Sequence, residues 1–416
     1  IEVDEIKSFQ GDKIIDFDLT PNRGDCLSLI GIARDLNALC KTNIDISVYE
    51  DQFETFQMDF KNNAKSKCPS IYFLELSVKD LPDNYIIEVD SYFKDLNIKK
   101  NNFFTDISNY IAYELGQPTH CYDSNKINGS ISLCEENLST KFITLLDQEI
   151  SLNDKNLVFK DDEGVINLAG IMGGKNTACN NQTKSVIIES AYFDPKSVIG
   201  KSIKYNINSD AAHKFERGVD PLMQEKALRR FVYIVSKHCE IESLKLYREV
   251  NNNFNQIELD VDVSKINRIL GTNIEKEEYL DILDKLNFVT DKLIKVPSFR
   301  SDIQHQNDLA EEVARVIGYD QIKPVKFEAK LNKTNEDQNE NKLKQFLKNK
   351  GFYEVINMPF VKNSKDSSLI IDNPLDSNRN SFRSELTGSL LSNLEFNERR
   401  QQDSIKIYEI SDVYSN

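Results

Sequence analysis

The spacing of apolar residues changes character many times along this chain of 416 residues, and each change marks an element. Residues 13–19 alternate polar and apolar positions, the period-two pattern of a half-buried strand. After a turn at 20–25, Leu27, Ile30, Ile32, Ala33, Leu36 and Leu39 predict a buried helix. A polar linker at about 51–67 opens a large α+β region. Strands are predicted there at 71–78, 131–133, 157–159, 165–168 and 186–190, and helices at 88–97, 105–115, 196–204, 210–216 and 222–237. Farther on, 256–261 reads as a strand and 263–270 as a helix stopped at Gly271; Leu280, Ile282, Leu283 and Leu286 mark another helix. Residues 288–289 and 293–297 predict a strand pair or wing, and 308–316 a helix stopped at Gly318. Residues 326–343 are charged and Asn-rich and read as a linker; helix and strand then alternate at 345–347, 355–358, 384–399 and 405–410. The pattern is that of an α+β chain with several domains.

Chemically distinctive residues crowd into 167–221. Gly170, Gly173 and Gly174 surround Ile171 and Met172, and glycine permits tight turns and close approach to a ligand. The strand-like run 186–188 ends in Glu189; Asp194 and Pro195 begin a helix; Ser209 or Asp210 caps another that carries His213, Glu216 and Arg217. Each feature alone has a structural explanation. Their density at element ends points to the rim of a pocket. Upstream, an amphipathic helix with Ile107, Tyr110, Ile111, Tyr113 and Leu115 ends at Gly116, and the stop at 116–118 delivers His120, one of four histidines, into a loop.

These stretches read DISNYIAYELGQPTHCYD (106–123), LAGIMGG (168–174), IIESAYFDP (187–195) and SDAAHKFERGVDP (209–221). VPSFRSDIQHQNDLAEEVARVIGYD (296–320) and NPLDSNRNSFRSELTGSLL (373–391) follow. In that order the motifs resemble the β-subunit family of bacterial phenylalanyl-tRNA synthetases, over essentially the whole chain. The resemblance implies four parts. Residues 1–50 would be the second half of an N-terminal module, and 68–245 a tRNA-editing domain of mixed sheets and helices. Residues 247–325 would form a small winged-helix-like module with a Mg²⁺ site, and 344–416 the start of a non-catalytic, class II synthetase-like catalytic-core domain. With no initiator Met and no signal-peptide pattern at residues 1–4, the chain reads as a piece of a longer protein. An inserted tRNA-binding barrel would precede it and an anticodon-binding domain would follow. Gly24 stands where the family usually has proline, and Cys121 where it usually has alanine.

The function implied is that of a β subunit of phenylalanine–tRNA ligase. It would support ATP-dependent attachment of phenylalanine to tRNA(Phe) by the α subunit, in a heterotetramer of two α and two β subunits, and hydrolyse mischarged Tyr-tRNA(Phe). An editing-inactive scaffold and a free-standing trans-editing hydrolase are the alternatives. Editing is needed because an apolar pocket rejects an added hydroxyl only about a hundredfold. Glu189, ionised, would accept the phenolic hydrogen bond of tyrosine. His120 is the other catalytic residue implied by resemblance. With it, Ser108 and Asn109 would flank the ester and the terminal adenosine. Ser209 and Ala211 would shape the wall around the ring, and Gly173 would leave room for the substrate. No Ser-His-Asp or Cys-His arrangement is visible, so a positioned water is expected and no general base is assigned. For Asp302, Asp308, Glu311 and Glu312 the pattern itself offers a capping-box-like helix start. The resemblance implies instead that they hold Mg²⁺ shared with the α subunit, a cation suited to oxygen ligands. For Arg23 with Asp25 a turn salt bridge is the expectation, and for Arg383 a structural role.

Composition limits the partners. Asp and Glu number 67 against 52 Lys and Arg, a net charge of −15, which argues against a broad phosphate-binding face and for local tRNA contacts. Seven scattered cysteines without a CxxC pair fit a reducing cytoplasm, and neither a disulfide framework nor a zinc site. No apolar run approaches the roughly 20 residues that span a bilayer.

Overall fold

The computed structural model describes residues 2–9, 12–40, 46–251, 254–324, 338–362 and 369–415. The chain forms two compact units, Ile1–Val325 and Lys326–Asn416.

The first unit is organised on strand Ser70–Val78, whose residues are apolar on both faces. Ile71 and Phe73 point to one side, Leu74 and Leu76 to the other. Such a strand needs cover on both sides. It sits centrally in a five-stranded sheet ordered Glu54–Thr55, Ile241–Val250, Ser70–Val78, Ser185–Tyr192, Thr119–Asp123. Helices Phe103–Leu115 and Gln224–Ser236 cover one face, with Ile107, Ile111, Leu228 and Phe231 in the cluster. A second five-stranded sheet contributes to the cluster on the other face: Met172–Gly173, Gly164–Leu168, Glu149–Asp161, Ile131–Ile143 and Phe60–Asn62. Leu133, Phe159, Ile166 and Leu168 join Ile71 and Phe73 in the cluster between the sheets. At roughly 1.5–3 kcal/mol per buried large apolar side chain, these two clusters dominate the stability of the unit.

In this part of the chain three predicted elements differ, and farther on the element expected at 355–358 falls between strands Tyr353–Glu354 and Phe360–Val361. The strands expected at 131–133 and 157–159 are the inner ends of a long hairpin, Ile131–Ile143 with Glu149–Asp161, whose outer part alternates exposed polar residues with buried Phe142, Ile150 and Leu152. The helix expected at 196–204 is two, Pro195–Val198 and Lys201–Tyr205, parted at Gly200, which has φ +77°. His120 lies in strand Thr119–Asp123, not in a loop. Gly116, at φ +75°, ends the preceding helix so sharply that only Gln117 and Pro118 separate it from the strand.

Residues 257–317 carry a third cluster, including Ile266, Tyr279, Leu283, Phe288, Ile294, Leu309 and Val313. Three helices, Val263–Leu270, Lys276–Lys285 and Gln306–Ile317, accompany a small sheet ordered Glu258–Asp260, Leu293–Lys295, Val289–Thr290. Ala38 of helix Leu29–Cys40 packs on this cluster, but Leu36 and Leu39 of that helix are exposed rather than buried.

In the second unit, helices Gln338–Asn349 and Thr387–Glu398 accompany two short strand pairs, Tyr353–Glu354 with Ile407–Tyr408 and Phe360–Val361 with Ser381–Phe382. Of the linker expected at 326–343, residues 326–337 lie outside the described residues and 338–343 are helical. Arg383 is buried, its Nη1 2.8 Å from Oε1 of Glu409 and its Nε donating to the Asp412 carbonyl at 3.1 Å, a structural arrangement.

Candidate active site at the edge of the central sheet

Strand Thr119–Asp123 is the outer strand of the central sheet, and its register decides the site. His120 lies directly opposite Glu189, and Tyr122 opposite Ile187. By the period of two, His120, Tyr122 and Glu189 share the face turned to the second sheet. Cys121 points the other way, toward the helices, and its thiol lies 3.5 Å from the Phe104 carbonyl. Burial raises that thiol well above its ordinary value, so it carries no thiolate chemistry.

A cavity of about 850 Å³ opens beside this strand. Ser108, Asn109, His120, Gly173, Ser209 and Ala211 all line it. Five segments thus converge: helix Phe103–Leu115 and the His120 strand that follows it, the hairpin turn at Leu145 and Leu146, the glycine strand Met172–Gly173, and helix Asp210–Arg217 with its cap. The two serines brace the walls. Ser108 donates to the Thr119 carbonyl at 2.6 Å, and Ser209 donates to the Ile171 carbonyl at 2.6 Å while capping its helix at Ala212 N–H. Asn109 is exposed.

Gly173 lies against His120. A Cβ there would sit 2.2 Å from Cε1 and 2.7 Å from Nε2 of the imidazole, so no other residue fits without displacing the ring. His120 Nε2 is buried without a hydrogen-bond partner. Burial lowers the imidazole to about 4, so it is neutral at physiological pH. The ring lines the cavity, but its Nε2 has almost no accessible surface, so its hydrogen-bonding capacity is unmet.

Glu189 is 4% exposed and lies outside the cavity lining, across the strand pair from His120. Its Oε2 accepts from the Tyr122 hydroxyl at 3.2 Å and the Asn167 amide at 3.4 Å. Burial pushes the carboxyl up to about 8, against the lowering effect of the Tyr122 hydrogen bond. It is therefore mostly protonated at neutral pH, where an ionised acceptor was expected. Tyr122, Asn167 and Lys214 were not singled out in the sequence. Extending period two through 119–123 would have placed Tyr122 beside His120. Lys214 lines the cavity, donates to the Leu27 carbonyl at 2.6 Å, and is lowered by burial.

Of the four acids that the resemblance assigns to Mg²⁺, Asp302, Asp308 and Glu312 have protein partners in this structure. Among the described residues, no three His, Cys, Asp or Glu gather in a metal-binding group. Both carboxylate oxygens of Asp302 accept from Arg300 at 2.8 Å. Glu312 is buried between Arg300 and Arg315; burial alone would raise it, but the two arginines hold it down to about 2. Asp308 is not the helix cap. Helix Gln306–Ile317 is capped at His305, and Asp308, in its first turn, accepts from the His305 and Gln304 amides at 2.7 and 2.8 Å. Glu311 is exposed on that helix. Two of the four acids, Asp302 and Glu312, are thus paired with guanidinium groups in this structure.

Three domain families match the chain: the B3/4 domain at residues 91–240, the tRNA synthetase B5 domain at 259–319, and the phenylalanyl tRNA synthetase beta chain CLM domain at 323–416. The phenylalanine–tRNA ligase beta subunit of Francisella tularensis subsp. tularensis is 31% identical over 421 residues, covering 96% of this chain and 53% of the relative. The corresponding subunit of Wolbachia sp. subsp. Brugia malayi is 31% identical over 436 residues, covering 98% of this chain and 54% of the relative. The chain spans about half the length of the curated relatives it matches. An N-terminal fragment of the phenylalanyl-tRNA synthetase beta subunit from Pyrococcus horikoshii matches loosely, with a TM-score of 0.39 and 17% identity over 76% of this chain and 91% of that one. No helix among the described residues is long and apolar enough to cross a membrane.

Proposed function

The chain belongs to the phenylalanine–tRNA ligase β-subunit family, and on that premise we propose that it supports charging of tRNA(Phe) and that its cavity hydrolyses Tyr-tRNA(Phe). In this reading a partner α subunit carries out the ATP-dependent attachment, and this chain supplies proofreading and assembly.

The observation that carries the editing reading is the convergence of Ser108, Asn109, His120, Gly173, Ser209 and Ala211 on one cavity, with Glu189 in register with His120. Its volume, about 850 Å³, is in the range that accepts an aminoacyl group with a terminal nucleoside. A water oxygen attacks the ester carbon, the carbon–oxygen bond to the ribose breaks, and the ribose oxygen takes a proton. Neutral His120 offers Nε2 to orient the water or the ribose hydroxyl. Selectivity resides in the phenol. A hydrogen bond to a neutral carboxyl is worth about 0.5–1.5 kcal/mol, and more if the group ionises. A phenylalanine ring in the same place leaves that carboxyl oxygen without a donor. No step passes through Mg²⁺.

Deacylation of Tyr-tRNA(Phe) and Phe-tRNA(Phe) tests the proposal. The chain should release tyrosine preferentially, and Glu189→Ala should erase the preference. Full discrimination in that variant refutes the role of Glu189, and no hydrolysis by the unaltered chain favours the scaffold reading. Co-purification with an α subunit separates a synthetase component from a free-standing hydrolase.

A further inference from the structure

Beside His120, three polar side chains, Tyr122, Asn167 and Glu189, lie buried in a largely apolar layer. Tyr122 is fully buried between the sheets, in the cluster with Phe73 and Phe159. Its ring meets His120 edge-to-face at 4.4 Å, and its hydroxyl lies 3.2 Å from Oε2 of Glu189. Asn167, also buried, donates from Nδ2 to that hydroxyl at 2.8 Å. Asn167 belongs to the second sheet, where it pairs with Gly173, the residue that abuts His120. A hydrogen-bonded chain, Asn167 to Tyr122 to Glu189, therefore joins strand Gly164–Leu168, the partner of the glycine strand, to the carboxyl across the inter-sheet layer. Polar groups placed in such a layer cost free energy unless paired, and here each pairs with the next. Oε1 of Glu189 has no hydrogen-bond partner among the described residues.

We infer that Tyr122 is a positioning residue for the specificity of this pocket: its hydroxyl, backed by the Asn167 amide, fixes one oxygen of Glu189 just behind the cavity lining, so that a substrate's phenol must reach the carboxyl through the other. The inference rests on the editing reading above. A phenylalanine at 122 would fill the apolar layer equally well, so packing alone does not call for the hydroxyl. The hydroxyl donates to the carboxyl and thereby favours its ionised form, opposing burial. Loss of the hydroxyl frees the carboxyl to rotate and makes it harder to ionise.

The test is hydrolysis of Tyr-tRNA(Phe) and Phe-tRNA(Phe) by the unaltered chain, Tyr122→Phe, Asn167→Ser and Glu189→Ala, from neutral to mildly alkaline pH. In Tyr122→Phe the preference for tyrosine should fall about tenfold, the equivalent of one hydrogen bond, through a higher KM for Tyr-tRNA(Phe). Hydrolysis of Phe-tRNA(Phe) should not change. The pH midpoint of the tyrosine reaction should move up, a shift that lost packing would not produce. Asn167→Ser, which keeps the ring and hydroxyl of Tyr122, should change both readouts in the same direction by less. If Tyr122→Phe and Asn167→Ser keep both the preference and the midpoint while Glu189→Ala loses the preference, the inference is overturned and the editing reading survives. If Glu189→Ala also keeps the preference, the editing reading itself falls.

Discussion

At Glu189 and His120 burial acts on two groups of opposite charge type, and the consequence is a pH dependence with a definite sign. Glu189 rises from 4.5 to about 8, so its contribution to stability is complete below 4.5 and is lost as pH climbs to about 8. His120 falls from 6.5 to about 4, so its contribution is present above 6.5 and is lost as pH drops to about 4. Between 4.5 and 6.5 the two slopes oppose each other; from 6.5 to 8 only Glu189 titrates. Stability from this pair should therefore be level in the acid range and decline from 6.5 to 8. Glu189→Gln should remove the decline, measured as the difference in melting temperature between variant and parent across that range. A difference that does not vary with pH would show that Glu189 does not carry the shift. His120 and Glu189 were visible in the sequence as an unusual histidine and a strand-terminal acid. Their mutual placement was not, because it depends on the pairing of strands 66 residues apart at Thr119–Asp123 and Ser185–Tyr192, which no local period reveals.

Among elements, the glycine strand Met172–Gly173 is constrained on two sides. It pairs with Gly164–Leu168 on one side, and Gly173 presses on the His120 ring from another. Gly173→Ala would place a methyl group inside that ring's contact distance, so the imidazole or the strand must move. Overpacking of this kind costs about 1–3 kcal/mol. The expected result is a lower denaturation midpoint with unchanged m-value, and loss of ester hydrolysis. Retained hydrolysis would mean that the ring can rotate aside without consequence. The neighbouring hairpin shows why element boundaries were only partly legible. Apolar runs around Leu133 and Leu157–Phe159 mark one buried end, but the outer part, where Glu135, Lys141, Glu149 and Lys155 are interspersed with buried Phe142, Ile150 and Leu152, reads as loop until the twelve-pair register joins it. The helix at 263–270, flanked by Asp262 and Gly271, follows its sequence signals closely because both caps are local.

At the scale of the first unit, the expected turn pair Arg23–Asp25 is one end of a charge network. Arg23 bonds Asp25 at 2.9 Å and Asp35 at 2.8 Å; Asp35 bonds Arg315 at 2.8 Å; Arg315 and Arg300 share Glu312; Arg300 closes on Asp302. This joins residues 23–35 to helix Gln306–Ile317 through groups that are mostly buried. The same segment is held from the cavity side, where Lys214 bonds the Leu27 carbonyl and Arg217 the Leu19 carbonyl at 3.2 Å. Asp35 is the hinge of the network because it alone bonds both Arg23 and Arg315. Removing one member of a buried ion pair leaves its partner charged and desolvated, at about 3–5 kcal/mol. Asp35→Ala should therefore destabilise the protein by that order and raise amide exchange in helices Leu29–Cys40 and Gln306–Ile317 together, while strand Ser70–Val78, apolar on both faces, stays protected. Adding Arg315→Ala to Asp35→Ala should cost much less than Arg315→Ala alone, since both remove the same link. Additive losses, or faster exchange in only one of the two helices, would show that the arginines are held independently. The resemblance pointed to Asp302 and Glu312 as metal ligands because it compares residue types at matching positions. It could not show that Arg300, two residues before Asp302, folds back onto both acids and neutralises them.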